Sequence, residues 1–175
     1  MWGKDGYMAV KLDMSKAYDR VKWEFLEVVI RRMGFDAKWI HLILMCVSST
    51  TYSVIVNGTP MGRIVPSRGI WQGDPISLYL FLFCAKTLSS MLTRAESRDT
   101  LIGVPTSKKG PWISHLFFAD NNLLFCKVNP HHWRKMSDLL QTYENVSGQR
   151  LNKDIRHLSF SVIILHLKLN KLCWF

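Results

Sequence analysis

Residues 113–127, ISHLFFADNNLLFCK, constrain the fold more than any other stretch. Two apolar runs, Leu116-Phe117-Phe118 and Leu123-Leu124-Phe125, flank Ala119-Asp120-Asn121-Asn122. Apolar runs about an Asx-rich centre predict a tight β-hairpin. Asp120 then sits at the tip of a hairpin whose arms are apolar enough for burial. Asp and Asn also suit turns in their own right, because they tolerate unusual φ and bond their own backbone. A second carboxylate, Asp13, closes another apolar strand. Two strand-end carboxylates set side by side can hold the divalent cations of a phosphoryl or nucleotidyl transferase.

Hydrophobic periodicity orders the rest of the chain. Residues 7–13 predict a strand with Met8, Val10 and Leu12 on one face, which leaves Asp13 on the less apolar face. A turn over 14–19 leads to a helix over 23–33, with Phe25, Leu26, Val29 and Ile30 inward and Gly34 placed to stop it. A second helix over 37–48 turns Ile40, Leu44 and Val47 inward. Residues 52–56, the pair Asn57-Gly58 and a strand near 62–65 predict a hairpin. After an irregular basic loop over 66–72, Asp74 can cap a helix that opens with Pro75. That helix, over 76–95, is apolar on most faces and is expected in the core. Residues 94–110, with Lys108-Lys109, read as a surface connection. A helix over 130–146 carries Trp133, Met136, Leu139, Leu140 and Tyr143 at helical spacing, and Gly148 ends it. The tail over 155–175 is apolar but irregular.

The 175 residues suffice for one domain with a real core, and 48% of them are hydrophobic, which excludes wholesale disorder. The formal net charge of +10 suits a polyanionic partner, nucleic acid being the usual one. Cys46, Cys84, Cys126 and Cys173 form no C-x-x-C pair, which argues against a zinc site or a disulfide framework. Cys84 and Cys126 read as core thiols, and His131-His132 as a solvated pair. The first residues lack the apolar core of a secretory signal, and the apolar run over 78–85 is shorter than a bilayer requires. An intracellular, non-secreted protein that does not enter membranes is the expectation. A strand follows Met1 almost at once, as in a chain that begins inside a larger domain.

Four segments in this order resemble the reverse transcriptases of non-LTR (LINE-type) retrotransposons, the plant branch in particular. They are AVKLDMSKAYDRVKWEFLE (9–27), PSRGIWQGDPISLYLFLFCAKTLS (66–89), ISHLFFADNNLLFCK (113–127) and YENVSGQRLNK (143–153). The resemblance implies an α+β fold: a polymerase palm-like antiparallel sheet packed by helices. It is incomplete, without the N-terminal fingers part and the thumb. It also implies a partial domain over 1–154 and a divergent tail over 155–175.

By the same resemblance, Asp13 and Asp120 match the two carboxylates that ligate both Mg²⁺ ions, with the Met14 main-chain carbonyl able to reach one of them. Tyr18 matches the aromatic under the incoming sugar, which excludes a 2′-hydroxyl. Gln72 and Gly73 match positions that contact the incoming nucleotide and the template. Lys153 matches a lysine near the triphosphate. The implied partners are an RNA template, a DNA primer and deoxynucleoside triphosphates. The sequence departs from the family's pattern at several points. Trp71 stands where a polar residue is usual and Leu78 where proline is. Asn121 stands where the second aspartate of the hairpin belongs, and the lysine expected after Asp154 is missing. The expectation is therefore an impaired or inactive copy. The alternative is a non-catalytic retrotransposon relic that binds nucleic acid by charge alone.

Overall fold

The computed structural model describes residues 6–107, 110–118, 121–152 and 162–165, with the backbone alone at Asn121 and at 162–165. Lys108, Lys109, Asp120, Lys153 and Cys173 lie outside the described residues.

The chain opens with strand β1 (Tyr7–Leu12) and a two-residue strand β2 (Met14–Ser15). Helices α1 (Trp23–Arg32) and α2 (Ala37–Ser48) follow, then the hairpin of β3 (Tyr52–Val56) and β4 (Thr59–Ile64). The long helix α3 (Pro75–Ser97) comes next. It is capped by the Asp74 carboxylate, which accepts from the Ile76 amide at 3.0 Å. Short strands β5 (Val104–Pro105) and β6 (Trp112–Ile113) pair with each other. Strands β7 (His115–Phe118) and β8 (Asn121–Lys127) form the expected hairpin. Helix α4 (Pro130–Ser147), strand β9 (Arg150–Leu151) and strand β10 (Val162–Leu165) complete the described chain.

The central sheet has the order β10-β1-β8-β7, antiparallel throughout. Its two faces differ as the alternation of strand residues requires. Met8, Val10 and Leu12 of β1 and Leu124 and Cys126 of β8 enter the core with the buried faces of α1, α3 and α4. Leu12, Leu26, Ile30, Leu88, Leu92 and Leu124 are fully buried there. The opposite face is open: Lys11 and Leu123 are exposed and Phe118 is 80% exposed. The result is an α+β sheet that, among the described residues, is backed by helices on one side.

The buried residues of α1 are Phe25, Leu26, Val29 and Ile30, the stripe its spacing predicts. Four expectations need correction. α3 is not buried on most faces: Ser77, Leu80, Phe81, Cys84, Leu88 and Leu92 are inward, while Leu78, Tyr79 and Leu82 are exposed. An 18-residue window of α3 has mean hydropathy 1.5, so by length and composition this helix could cross a membrane. A core helix has the same two properties, and the buried stripe of α3 packs in this core. His132 is buried beside Thr100, with Nδ1 3.4 Å from its carbonyl oxygen, rather than solvated with His131. The connection after α3 is not all surface, since Leu101 and Val104 are buried and the Ile102 carbonyl accepts from the Lys127 amide at 3.1 Å. The tail is not wholly irregular, for β10 pairs with Tyr7, Met8, Ala9 and Val10. Cys84 and Cys126 are buried free thiols, and burial pushes them up to about 12 and about 11 respectively. They are inert at neutral pH as the core reading requires.

Candidate active site

Asp13 follows the last residue of β1 and is half-buried. The register of β1 on β8 runs from Tyr7 opposite Lys127 to Leu12 opposite Asn122. One further step puts position 121 opposite Asp13. On its other edge β8 pairs with β7, and this ladder ends with Phe118 opposite Asn121. The end of β1 and the end of the β7–β8 hairpin therefore meet at the same end of the sheet. The connection between Phe118 and Asn121 is two residues long, shorter than the four-residue centre the sequence predicts, because Asn121 and Asn122 join the ladder. Asp120, the second proposed carboxylate, falls in that connection, outside the described residues.

Strand geometry also orients the backbone at Met14. The Asp13 carbonyl accepts from the Asn152 amide at 2.8 Å, and Met14 is paired with Leu151. Successive carbonyls of a strand point to opposite sides, so the Met14 carbonyl turns away from β9 toward the edge that β8 occupies. The two oxygen sources of this segment, one carboxylate and one carbonyl, are the hard donors that a magnesium-sized cation takes. Among the described residues no three His, Cys, Asp or Glu side chains gather as a metal cluster. The donor set reaches a useful count only with Asp120. The described donors at this sheet end are therefore one carboxylate and one carbonyl, oxygen donors of the type a divalent cation takes.

Tyr18 lies on the turn between β2 and α1, half-buried, with its ring stacked on Phe81 of α3 at 4.7 Å and 16°. A cluster of hydrogen bonds ties this turn to the loop before α3. The Gly69 amide donates to the Val21 carbonyl at 2.7 Å and the Ile70 amide to the Tyr18 carbonyl at 3.1 Å. The Trp23 indole N–H donates to the Gly69 carbonyl at 2.7 Å. The segments that carry Tyr18 and Gln72-Gly73, far apart in the chain, are thus held to each other by backbone. Gln72 and Gly73 are exposed, and Gly73 has φ +114°, a conformation that L side chains rarely adopt. A Cβ there would meet only the Trp71 indole nitrogen, at 3.6 Å, so backbone conformation and not crowding explains the glycine within this chain. Trp71 stacks on Tyr52 of β3 at 4.9 Å and 21°, which joins the β3–β4 hairpin to the same loop. Leu78 stands exposed in the first turns of α3 and leaves the helix regular.

One buried polar assembly had no role in the sequence reading. The Tyr143 hydroxyl reaches both the Cys84 carbonyl, at 3.2 Å, and the Gln149 side-chain oxygen. The Gln149 amide group donates to the Ala17 carbonyl at 2.8 Å, one residue before Tyr18. The Ser147 hydroxyl donates to the Tyr143 carbonyl at 2.7 Å and accepts from the Gln149 amide at 3.1 Å. Burial pushes the Tyr143 phenol well above its ordinary value, so it stays a neutral donor. A glutamine directly after the helix-ending Ser147-Gly148 pair is the signal available in the sequence, and nothing there says that its side chain is buried. Tyr143→Phe is expected to cost about 1–3 kcal/mol, because Gln149 is left buried without its donor. Urea unfolding monitored by circular dichroism measures it.

The reverse transcriptase (RNA-dependent DNA polymerase) family pattern matches residues 3–154. An uncharacterized mitochondrial protein of Arabidopsis thaliana is 48% identical over 67 residues, 38% of this chain and 55% of that protein. A retrovirus-related Pol polyprotein from a type-1 retrotransposable element R2 of Popillia japonica is 31% identical over 67% of this chain. The chain spans 16% of the length of that relative and 18% of a second R2 polyprotein, which is 29% identical. Among solved structures, telomerase from Candida tropicalis in complex with a TWJ fragment of telomeric RNA superposes with a TM-score of 0.68. The match has 14% identity and covers 97% of this chain and 28% of that one. Apo telomerase from the same organism, truncated of its C-terminal domain, gives 0.62. At such identities the likeness is one of fold.

Proposed function

The chain belongs to the reverse transcriptase family, of non-LTR retrotransposon kinship, and we propose that it is the palm part, over residues 1–154, of an RNA-directed DNA polymerase. The observation that carries this reading is the register of β1 on β8, which brings the Asp13 end of one strand to the hairpin end of the other, beside the open face of the sheet. Asp13 and Asp120 carry the carboxylates, and the Met14 carbonyl adds a neutral oxygen. Divalent cations bound there supply positive charge to the attacking and leaving oxygens of the transferred phosphoryl group. Tyr18, braced on Phe81, limits the room under the incoming sugar and so favours a deoxynucleotide. Gln72 and Gly73, on an exposed loop tied to that tyrosine's turn, position nucleotide and template. By the resemblance, Lys153 is the lysine assigned to the triphosphate. The RNA template, DNA primer and nucleotides are partners on this reading, and the setting is intracellular.

Asn121 favours a second reading of the present state of the chain. An amide offers only a neutral oxygen where the family's pattern has a carboxylate, so the copy is impaired or inactive as a polymerase. In the limit it is a relic that binds nucleic acid through its net charge of +10.

Titration of this chain with Mn²⁺, followed by the loss of the free-ion EPR signal, tests the cation site without asking for activity. Asp13→Asn is expected to weaken binding by about tenfold or more, while Asp138→Asn, exposed on α4, leaves it unchanged. Equal affinities for the Asp13 variant and the parent chain overturn the reading.

A further inference from the structure

Behind the turn that carries Tyr18 lies a cavity of about 450 Å³ that the two-cation reading does not use. Its walls come from four segments: Arg20 and Lys22 from the turn before α1, Arg68 from the loop before α3, Glu144 from the end of α4, and Arg150 from β9. Local structure fixes these segments against one another. The Lys22 amide donates to the Ser147 carbonyl at 2.9 Å, and the Gly69 amide to the Val21 carbonyl at 2.7 Å. Ser15 pairs with Arg150 across β2 and β9. A rigid frame therefore gathers four cationic side chains around one opening, against a single carboxylate.

The members differ in what already occupies them. The Lys22 ammonium donates to the Asn145 carbonyl at 2.8 Å and so serves the C-terminal end of α4, where cations are favoured in any case. Glu144 Oε1 accepts from the Leu151 amide at 2.7 Å, which commits that carboxylate to the backbone. The side chains of Arg20, Arg68 and Arg150 make no hydrogen bond or ion pair with the described residues. Arg20 Nε is buried and has no acceptor among the described residues. A buried N–H without a partner is costly, and most such groups in folded proteins are satisfied by something. Guanidinium groups present planar pairs of donors matched to phosphate oxygens.

We propose that this cavity is a phosphate-binding site that grips the backbone of a single-stranded RNA, apart from the cation site of Asp13. Arg20 supplies the buried donor at the base of the cavity, and Arg68 and Arg150 close on the phosphate from its exposed rim. The choice of RNA as the source of the phosphate rests on the reverse transcriptase reading, whereas phosphate binding itself needs no polymerase activity, and a chain with an inert cation site would retain it.

Fluorescence anisotropy with a labelled 20-nucleotide RNA, from 50 to 300 mM salt, tests it on the chain as it stands. Arg68→Gln and Arg150→Gln remove exposed side chains, so folding is retained, as circular dichroism verifies. Each is expected to lower the slope of log affinity against log salt by about 0.7, the value for one lost contact to a single-stranded phosphate. Arg68→Lys keeps the charge and is expected to keep the slope, and Arg134→Gln, on the exposed side of α4, changes it by less. A second arm titrates pyrophosphate, which separates a backbone phosphate from a free one. Slopes in both Gln variants equal to that of Arg134→Gln overturn the proposal. So does pyrophosphate binding that the variants lose while RNA binding stays intact.

Discussion

Asn121→Asp, made in this chain grafted into a complete reverse transcriptase, is expected to raise Mg²⁺-dependent primer extension by about 10²-fold. That is the scale of one electrostatic contact at a reacting centre, about 2.7 kcal/mol. The physical reason is charge. Two divalent cations about 3.5–4 Å apart repel each other and are held together by anionic oxygens. On the proposed assignment the parent chain offers two carboxylates, Asp13 and Asp120, and the variant offers three. Hard cations prefer charged oxygens to an amide carbonyl, so the gain comes through cation affinity as well as rate. Raising Mg²⁺ in the parent graft is therefore expected to recover part of the difference, and the two curves should converge at the highest concentrations. Equal extension rates at every Mg²⁺ level would remove position 121 from the cation site. Because Asn121 lies in β8 and pairs with Phe118 by backbone, the substitution leaves the ladder in place.

Gly148→Ala is expected to destabilise the fold by about 3 kcal/mol, well beyond the cost of backbone conformation alone. Gly148 ends α4 with φ +80°. A left-handed conformation costs an alanine about 1–2 kcal/mol. A Cβ at this position would also come within 2.5 Å of the Arg20 carbonyl oxygen and 2.9 Å of Lys22 Cγ. The carbonyl belongs to the backbone of the turn that carries Tyr18, so it cannot move away cheaply, and overpacking of this kind adds about 1–3 kcal/mol. Gly34 provides the internal comparison. It ends α1 with φ +86° and has nothing within 4 Å of an added Cβ. Gly34→Ala should therefore show the conformational part alone, about 1–2 kcal/mol. Denaturant midpoints of the two variants separate the two causes. Equal losses would mean that α4 and the Tyr18 turn are not packed as closely as described.

Where periodicity alone decides a structure, the chain can be read from its residues. α1 buries the four residues that its 3.6-residue spacing selects, because one face of an isolated amphipathic helix has nowhere else to go. Asp74-Pro75 opens α3 and Gly148 closes α4, since capping is a local matter of donors and φ. The β7–β8 hairpin is legible from its Asx-rich centre, although the strand resumes two residues earlier than composition suggests. The readings that needed correction all turn on what lies across a gap in sequence. His132 is buried beside Thr100, and α3 is exposed along Leu78, Tyr79 and Leu82 because its other side, with Leu80, Phe81, Cys84, Leu88 and Leu92, is the one packed in the core. The strand Val162–Leu165 has little pattern of its own and is defined by the edge of β1 that it joins.

The order and wording of the four segments identified the family, and the alternation of β1 gave the side that Asp13 occupies. These are properties of local chemistry and alternation, which a linear chain carries in full. Folding in three dimensions decided which strand ends meet, that the loop of Gly69 is bonded to the turn of Tyr18, and that Gln149 is enclosed beside Tyr143. It also gathered Arg20, Arg68 and Arg150 around one cavity. Each of these joins residues tens of positions apart, and the backbone register and packed side chains that bring them together exist only once the core has formed.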